Sequence, residues 1–331
     1  MNYLSEAKDL QGKRAVVRID CDVDLRKEGG RLVVDEDFRL RSAIPTINYL
    51  KAQKVEKIIL LGHLGRPKDQ EQELSLSPIC EWFDKNVSNC SLIKLNELLH
   101  VSSSNFGIVE NLRYDKGEEN NSSEFAKKLS LLGDICINEA FGVSHRDHAS
   151  ITGLKQYLPY YLGIRFEGEM ASLNWLKKEA PRPIVSVLGG SKDDKLKYID
   201  FLSSWSDKVL LGGKLPSMIK NVPDNIVVAK LNKEGKDITR ESIMDFKKHI
   251  GEAKTILWAG PMGVYEEDHN SLGSYEIAKT VAETKAFKVA GGGDTHRILS
   301  RLNLWNSFNY VSVGGGAMLY FLKKNTLAVL D

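Results

Sequence analysis

Two glycine triplets, Gly291–Gly293 and Gly314–Gly316, each follow a short apolar run and precede a segment of helical composition. A glycine turn that opens a helix lets backbone N–H groups approach an anion with no Cβ in the way, and the helix dipole favours negative charge there. Glycine costs roughly 0.5–1 kcal/mol relative to alanine inside a regular element, so two triplets this close together need a reason. The same half of the chain holds VLGGSKDDK, with Lys192 and Lys195, and LLGGK, with Gly212 and Gly213. One junction of this kind is ordinarily tight strand–helix packing, but four in one half point to a phosphate chain. Asp294, directly after the first triplet, suits either a helix cap or Mg²⁺ held on a nucleotide.

The other half supplies cations. RIDCDVD (18–24), DEDFRLRSAIPTI (35–47), GHLGRP (62–67), ENLRY (110–114) and NEAFGVSHRDHAS (138–150) each place an Arg or a His near a strand end or in the loop after it. Arginine forks match carboxylate and phosphate oxygens better than lysine does. Taken singly, each Arg reads as a solvated surface charge, and His63 as a strand-end residue bonded to backbone. Taken together they describe a site for a small, multiply anionic substrate. A nucleotide in one half and an anionic metabolite in the other is the logic of a kinase. The P-loop and dinucleotide glycine patterns are absent, and the HRD at His145–Asp147 lacks the Asn that a protein-kinase catalytic loop requires.

Something must hold these groups. Short β-branched or apolar runs recur at 15–19, 57–62, 134–138, 183–189, 208–213, 225–230, 255–260, 287–292 and 309–315, separated by amphipathic stretches such as FRLRSAIPTINYLKAQ, SEFAKKLSLLG, RESIMDFKKHI and SYEIAKTVAETKA. Alternating strands and helices predict an α/β protein with parallel sheets covered on both faces. Ligands in such sheets bind at the carboxyl ends of the strands, where these Gly, His and Asn residues fall. A long helix followed by Pro-Arg-Pro around 155–182 predicts a link between two α/β halves. Lys+Arg 46 against Asp+Glu 44 leaves a net charge of +2, which offers no global field for nucleic acid or a membrane surface. The four cysteines form no CxxC pair, and MNYLSEAKDLQGKR has no apolar core of a secretory signal, so a reducing, cytoplasmic setting is expected. We expect a monomer acting on small molecules.

RIDCDVD, DEDFRLRSAIPTI, GHLGRP, ENLRY, NEAFGVSHRDHAS, VLGGSKDDK, ILWAGPMGVYE, VAGGGDT and VSVGGGAM, in this order along nearly the whole chain, together resemble phosphoglycerate kinase. The resemblance implies two Rossmann-like domains joined by a long linking helix and closing by a hinge. The expected boundaries are 1–160 for the domain binding 3-phosphoglycerate, 161–178 for the linking helix, 179–318 for the nucleotide domain, and 319–331 for a tail returning to the first domain. It implies reversible phosphoryl transfer between 1,3-bisphosphoglycerate with ADP and 3-phosphoglycerate with ATP, dependent on Mg²⁺ and without a covalent enzyme intermediate. The acceptor site falls on Asp20, Asp22, Arg39, His63, Arg66, Arg113 and Arg146, with Arg39 as the catalytic arginine. Lys192 and Lys195 match two phosphate lysines. Gly212 and Gly213 line the nucleotide, and Glu266 holds its ribose. Asp294 serves Mg²⁺, Gly291, Gly292, Gly293 and Thr295 line the phosphates, and Gly314, Gly315 and Gly316 open the helix facing the phosphoryl group in flight. The acceptor is a carboxylate, ionised at neutral pH, so no general base is needed. Alignment and positive charge carry the catalysis.

The chain also departs from that pattern. It is shorter, with the gap after LLGGK. Ala259 and Asp22 stand where the family has Asn, and Asp24 stands where it has Pro. Lys192 and Lys195 are three apart rather than four. These departures leave two alternatives to an active kinase: a catalytically weakened homologue that binds nucleotide or metabolite without efficient turnover, and a transferase of the same fold acting on another anionic carboxylate.

Overall fold

The apolar runs become strands buried on both faces, and the amphipathic stretches become the helices that cover them. The structure is a computed structural model describing residues 2–100, 104–220 and 222–331, and the chain divides into two compact units, Met1–Ala171 with Thr326–Asp331, and Ser172–Asn325.

The first unit contains β1 (Arg14–Arg18), a hairpin of β2 (Leu25–Glu28) and β3 (Arg31–Val34), α1 (Phe38–Ala52), β4 (Lys57–Leu61), α2 (Ser77–Asn86), β5 (Ser91–Ile93), β6 (Phe106–Val109), α3 (Lys116–Glu119), α4 (Ser123–Ser130), β7 (Ile135–Asn138), β8 (Tyr160–Leu162) and the start of α5 (Ile164–Glu179). Its sheet runs β5-β6-β4-β1-β7-β8, all parallel. Alternate residues of β1 feed opposite cores: Ala15 and Val17 pack on one face with Leu40, Ile47 and Leu50 of α1, and Val16 on the other with Phe125 and Leu129 of α4. Helix α1 buries Leu40, Ala43, Ile47 and Leu50, one stripe at helical spacing. Ser122 caps α4 by accepting from the Phe125 N–H.

The second unit holds the rest of α5, then β9 (Ile184–Leu188), α6 (Ile199–Trp205), β10 (Lys208–Leu211), β11 (Ile226–Val228), α7 (Arg240–Glu252), β12 (Thr255–Ala259), α8 (Leu272–Glu283), β13 (Phe287–Gly291), α9 (Gly293–Arg301), β14 (Tyr310–Ser312) and α10 (Gly315–Lys324). Its sheet is β11-β10-β9-β12-β13-β14, again parallel.

The observed boundaries differ from the expected ones. The linking helix runs Ile164–Glu179, and the division falls inside it, after Ala171. The tail expected at 319–331 splits. Residues up to Lys324 complete α10, which ends on Asn325 in the left-handed region, at φ 61°. Only Thr326–Asp331 belongs to the first unit, held by buried Leu327 and Val329 and by Lys155 Nζ donating to the Val329 carbonyl at 2.9 Å.

The short segment between β10 and β12 closes on itself. Leu231 and Ile238 form an isolated antiparallel bridge. The buried Asp237 accepts from the Ile238 N–H at 2.8 Å and from the Gly273 N–H at 2.9 Å in the first turn of α8. A carboxylate at a helix N-terminus satisfies an otherwise unpaired donor.

Candidate active site

In the first unit the parallel register brings the sequence-marked residues to one edge. Arg18 pairs with Leu61 of β4 and Asn138 of β7, so Asp20, Asp22 and His63 follow at the carboxyl ends of adjacent strands. Arg39 lies in the first turn of α1. Its Nε is 3.8 Å from Asp20 Oδ2 and its Nη1 is 3.8 Å from Asp22 Oδ2, and Nη1 also donates to the Asp22 carbonyl. Asp22 Oδ1 accepts from the Gly65 N–H at 2.9 Å, tying the loop after β1 to the loop after β4. The extra carboxylate is therefore shielded by Arg39.

Arg113 is buried. Its Nη1 donates to the Gly65 carbonyl at 2.5 Å and its Nε faces Glu119 at 3.2 Å, but its Nη2 makes no hydrogen bond. A buried guanidinium N–H without an acceptor is costly, and an anion would complete it. Burial, then the charges of Arg18, Arg113, Arg146 and His148, hold the proton affinity of His63 well below the usual histidine range. His148 is likewise lowered to about 4, by burial and then the same arginines. Asp20, Asp22, Arg39, His63, Arg113 and Arg146 are thus gathered. Arg66 is exposed on its loop and, among the described residues, has no hydrogen bond or ion pair to any of them.

Sequence reasoning counted the residue at the centre of this cluster, the arginine of RIDCDVD, among the strand-end cations but gave it no role of its own. Arg18 is fully buried. Its Nε donates to Ser150 Oγ at 2.8 Å, its Nη2 to His63 Nδ1 at 2.8 Å, and its Nη1 to the Ile19 carbonyl. Ser150 in turn donates to the buried Glu118 at 2.6 Å. The signal was a lone arginine ending the apolar run AVVR, where burial forces any guanidinium to find partners.

In the second unit the four glycine junctions fall at the carboxyl ends of β9, β10, β13 and β14. The two triplets meet. A Cβ on Gly315 would lie 2.8 Å from the Gly291 carbonyl oxygen, and one on Gly292 would lie 3.7 Å from Gly315 Cα. Gly292 also has φ +109°, which side chains rarely adopt. Part of the glycine requirement is therefore backbone packing between the two turns, which sets the N-termini of α9 and α10 side by side. A Cβ on Gly316 meets nothing.

Apart from Lys192, the remaining predicted residues of this unit have protein partners. Lys192 is exposed and directly precedes a 3₁₀ segment, Asp193–Tyr198, that contains Lys195. Lys195 folds back, its Nζ donating to the carbonyls of Gly189 at 2.7 Å and Ala259 at 3.2 Å. Desolvation lowers its proton affinity, and Asp294 is the first charge to oppose this. Asp294 Oδ1 accepts from the Tyr265 hydroxyl at 3.3 Å. Glu266 faces Arg297 at 3.7 Å. Thr295 is buried and its hydroxyl accepts from the Gly260 N–H at 2.9 Å, while Gly212 N–H donates to the Leu188 carbonyl at 2.9 Å and Gly213 N–H to that of Met262 at 3.0 Å. Tyr265 and Arg297 had no sequence signal beyond their neighbours Glu266 and Asp294.

One parallel α/β unit ends in guanidinium groups with an unmatched donor and the other in paired glycine-lined helix N-termini, features suited to anionic phosphate groups, and the class of protein is a phosphotransferase. A phosphoglycerate kinase family model matches residues 4–234 and 217–325. The two matched stretches share 217–234, so the family pattern is interrupted in the segment that the sequence marks as shortened. The phosphoglycerate kinase of Dictyoglomus turgidum is 33% identical over 381 residues, covering 97% of this chain and 95% of that protein. The solved phosphoglycerate kinase of Coxiella burnetii is 27% identical with a TM-score of 0.76 over 99% of this chain and 97% of that one. That of Pyrococcus horikoshii, at 22% identity, shares the fold with a TM-score of 0.84 over 100% and 98%. The chain belongs to the phosphoglycerate kinase family. Among the described residues no helix is long and apolar enough to cross a membrane.

Proposed function

We propose that this chain catalyses the reversible, Mg²⁺-dependent transfer of a phosphoryl group between 1,3-bisphosphoglycerate with ADP and 3-phosphoglycerate with ATP. The observation that carries the reading is the acceptor cluster. Arg39, Arg113, Arg146 and His63 gather at the carboxyl ends of one sheet, and Arg113 Nη2 is buried without an acceptor. A phosphorylated carboxylate supplies the missing oxygens. Its carboxylate is already a nucleophile, so the reaction needs no base, and the carboxylates facing Arg39 serve to hold the guanidinium. Asp20 and Asp22 orient Arg39, whose guanidinium stabilises charge on the transferring group.

The second unit is the nucleotide site. The N–H groups of Gly293, Gly315 and Gly316 open α9 and α10 toward the phosphates, with Gly291, Gly292 and Gly314 shaping the turns. Lys192 is available to the phosphate chain, whereas Lys195 acts chiefly by holding the loops after β9 and β12 together. Glu266 takes the ribose, in competition with Arg297, and Gly212, Gly213 and Thr295 shape the floor. Asp294 fits a Mg²⁺ ligand: one carboxylate oxygen engages Tyr265, and a single carboxylate plus substrate phosphates is how this ion is commonly held. When bound, the ion neutralises phosphate charge.

The test is a coupled assay with ATP, Mg²⁺ and 3-phosphoglycerate on wild type and Arg39→Ala. The expected result is turnover in wild type and, in the variant, a loss in kcat of about a hundredfold or more, the usual cost of removing a transition-state donor, with ADP affinity kept. Absent wild-type turnover refutes the activity, and wild-type kcat in Arg39→Ala refutes the role of that residue.

A further inference from the structure

Arg18 touches no solvent, yet it reaches the acceptor cluster through His63. A guanidinium has only N–H donors and stays protonated in proteins. Its contact at 2.8 Å with His63 Nδ1 therefore requires a lone pair on Nδ1. A hydrogen there would set two donors against each other in a buried site. The geometry points to a new role for Arg18: it is a positioning residue that fixes His63 as the tautomer protonated on Nε2, so that the ring presents one N–H donor to the bound anion.

The orientation of Arg18 is itself determined. Ser150 Oγ accepts from Arg18 Nε at 2.8 Å and donates its one hydrogen to Glu118 Oε1 at 2.6 Å. The Ser150 N–H donates to Glu118 Oε2 at 3.0 Å. Glu118, Ser150, Arg18 and His63 thus form a buried chain in which donors point toward Glu118 on one side and toward His63 on the other. Nε2 of His63 has no protein hydrogen-bond partner among the described residues, so its donor is left for a ligand. Burial and the nearby Arg113, Arg146 and His148 disfavour a second proton on the ring, in keeping with this arrangement. A neutral, aimed N–H gives the site a directional contact that adds no further charge to an already cationic cluster.

This role rests on the reading of the first unit as the acceptor site. The experiment is long-range ¹H–¹⁵N spectroscopy of histidine-labelled full-length protein, with His63 assigned by loss of its signals in His63→Gln. Wild type is expected to show an unprotonated Nδ1 and a protonated Nε2, and saturating 3-phosphoglycerate is expected to shift the Nε2–H signal. Arg18→Met is expected to lose the single tautomer and to raise the KM for 3-phosphoglycerate about tenfold or more, with ADP affinity within about twofold. Arg18→Lys, which keeps a donor, is expected to recover part of both. A ring protonated on Nδ1 overturns the tautomer assignment and leaves the acceptor site standing. An Nε2–H tautomer whose signal ignores 3-phosphoglycerate overturns the acceptor-site reading and with it the role of Arg18 in binding. An Arg18→Met protein that keeps the tautomer yet loses affinity overturns the coupling between the two residues. If Arg18→Met does not fold, the wild-type spectra decide.

Discussion

Replacing Asp22 by Asn should tighten binding of the anionic acceptor. The Asp22 carboxylate has two neighbours with different demands. Oδ1 accepts from the Gly65 N–H at 2.9 Å, a bond that an Asn oxygen can keep. Oδ2 lies 3.8 Å from Arg39 Nη1, where a carboxylate attracts the guanidinium and an amide does not. A unit charge pair at that distance is worth about 1 kcal/mol in water and about 4 kcal/mol at an effective dielectric near 20. The Asp22 side chain is 46% exposed, which places the pair near the lower figure. The Asp22→Asn variant would therefore leave about 1 kcal/mol more of the Arg39 charge for the ligand, roughly five- to tenfold in Kd. Asp20 still holds Arg39 Nε, so the guanidinium keeps its place. Calorimetric titration of Asp22→Asn with 3-phosphoglycerate, and separately with ADP, measures this. The acceptor Kd should fall and the ADP Kd should hold within about twofold, and the gain should shrink as salt is raised. Unchanged or weaker binding of 3-phosphoglycerate would refute the charge argument and make Asp22 a direct ligand of the substrate.

The two glycines of the second triplet should behave differently. Gly315→Ala forces a Cβ to within 2.8 Å of the Gly291 carbonyl and should lower stability by about 1–3 kcal/mol. Gly316→Ala meets no protein atom, so its melting temperature should hold or rise while turnover falls; equal melting losses in the two variants would contradict this. Glu139 accepts from Thr46 Oγ1 at 2.7 Å and from the Arg165 N–H at 2.6 Å, and burial raises its pKa from 4.5 to about 7 despite these bonds. Its contribution to stability is complete below pH 4.5 and is lost as pH rises through 7, up to about 3 kcal/mol. Glu139→Gln keeps both short bonds through its oxygen and should remove that slope. Denaturant melts at pH 5 and pH 8 that show the same wild-type-to-variant difference would rule it out.

Much of the fold was legible because each apolar run carried its own evidence of burial and each intervening stretch had helical spacing. The strands that escaped, such as β5, β6 and β8, span three or four residues. β11 and β14 are as short and were read, so length alone does not decide; these three are strands because a neighbouring strand offers hydrogen bonds. In the site, Arg39, His63 and Arg113 were marked by the cation-bearing motifs and by the family resemblance those motifs carry. Arg18, though the strand-end cation of RIDCDVD, received no role there, because its importance comes from what surrounds it. The phosphate lysines show another limit. The family resemblance pairs Lys192 and Lys195, but Lys192 stays exposed ahead of the 3₁₀ segment while two strand-end carbonyls claim Lys195.

Residue types and their order along the chain were enough to define the class of chemistry. They are local facts: glycines that free backbone N–H groups and guanidinium groups that favour multiply charged oxyanions, to which the family resemblance adds an acceptor that needs no base. Which of these groups act together was settled by folding. The contact between Gly292 and Gly315, the clamp of Asp20 and Asp22 on Arg39, and the chain from Glu118 to His63 join residues far apart along the polypeptide. Strand register and desolvation select those partners, and neither is written in any one segment.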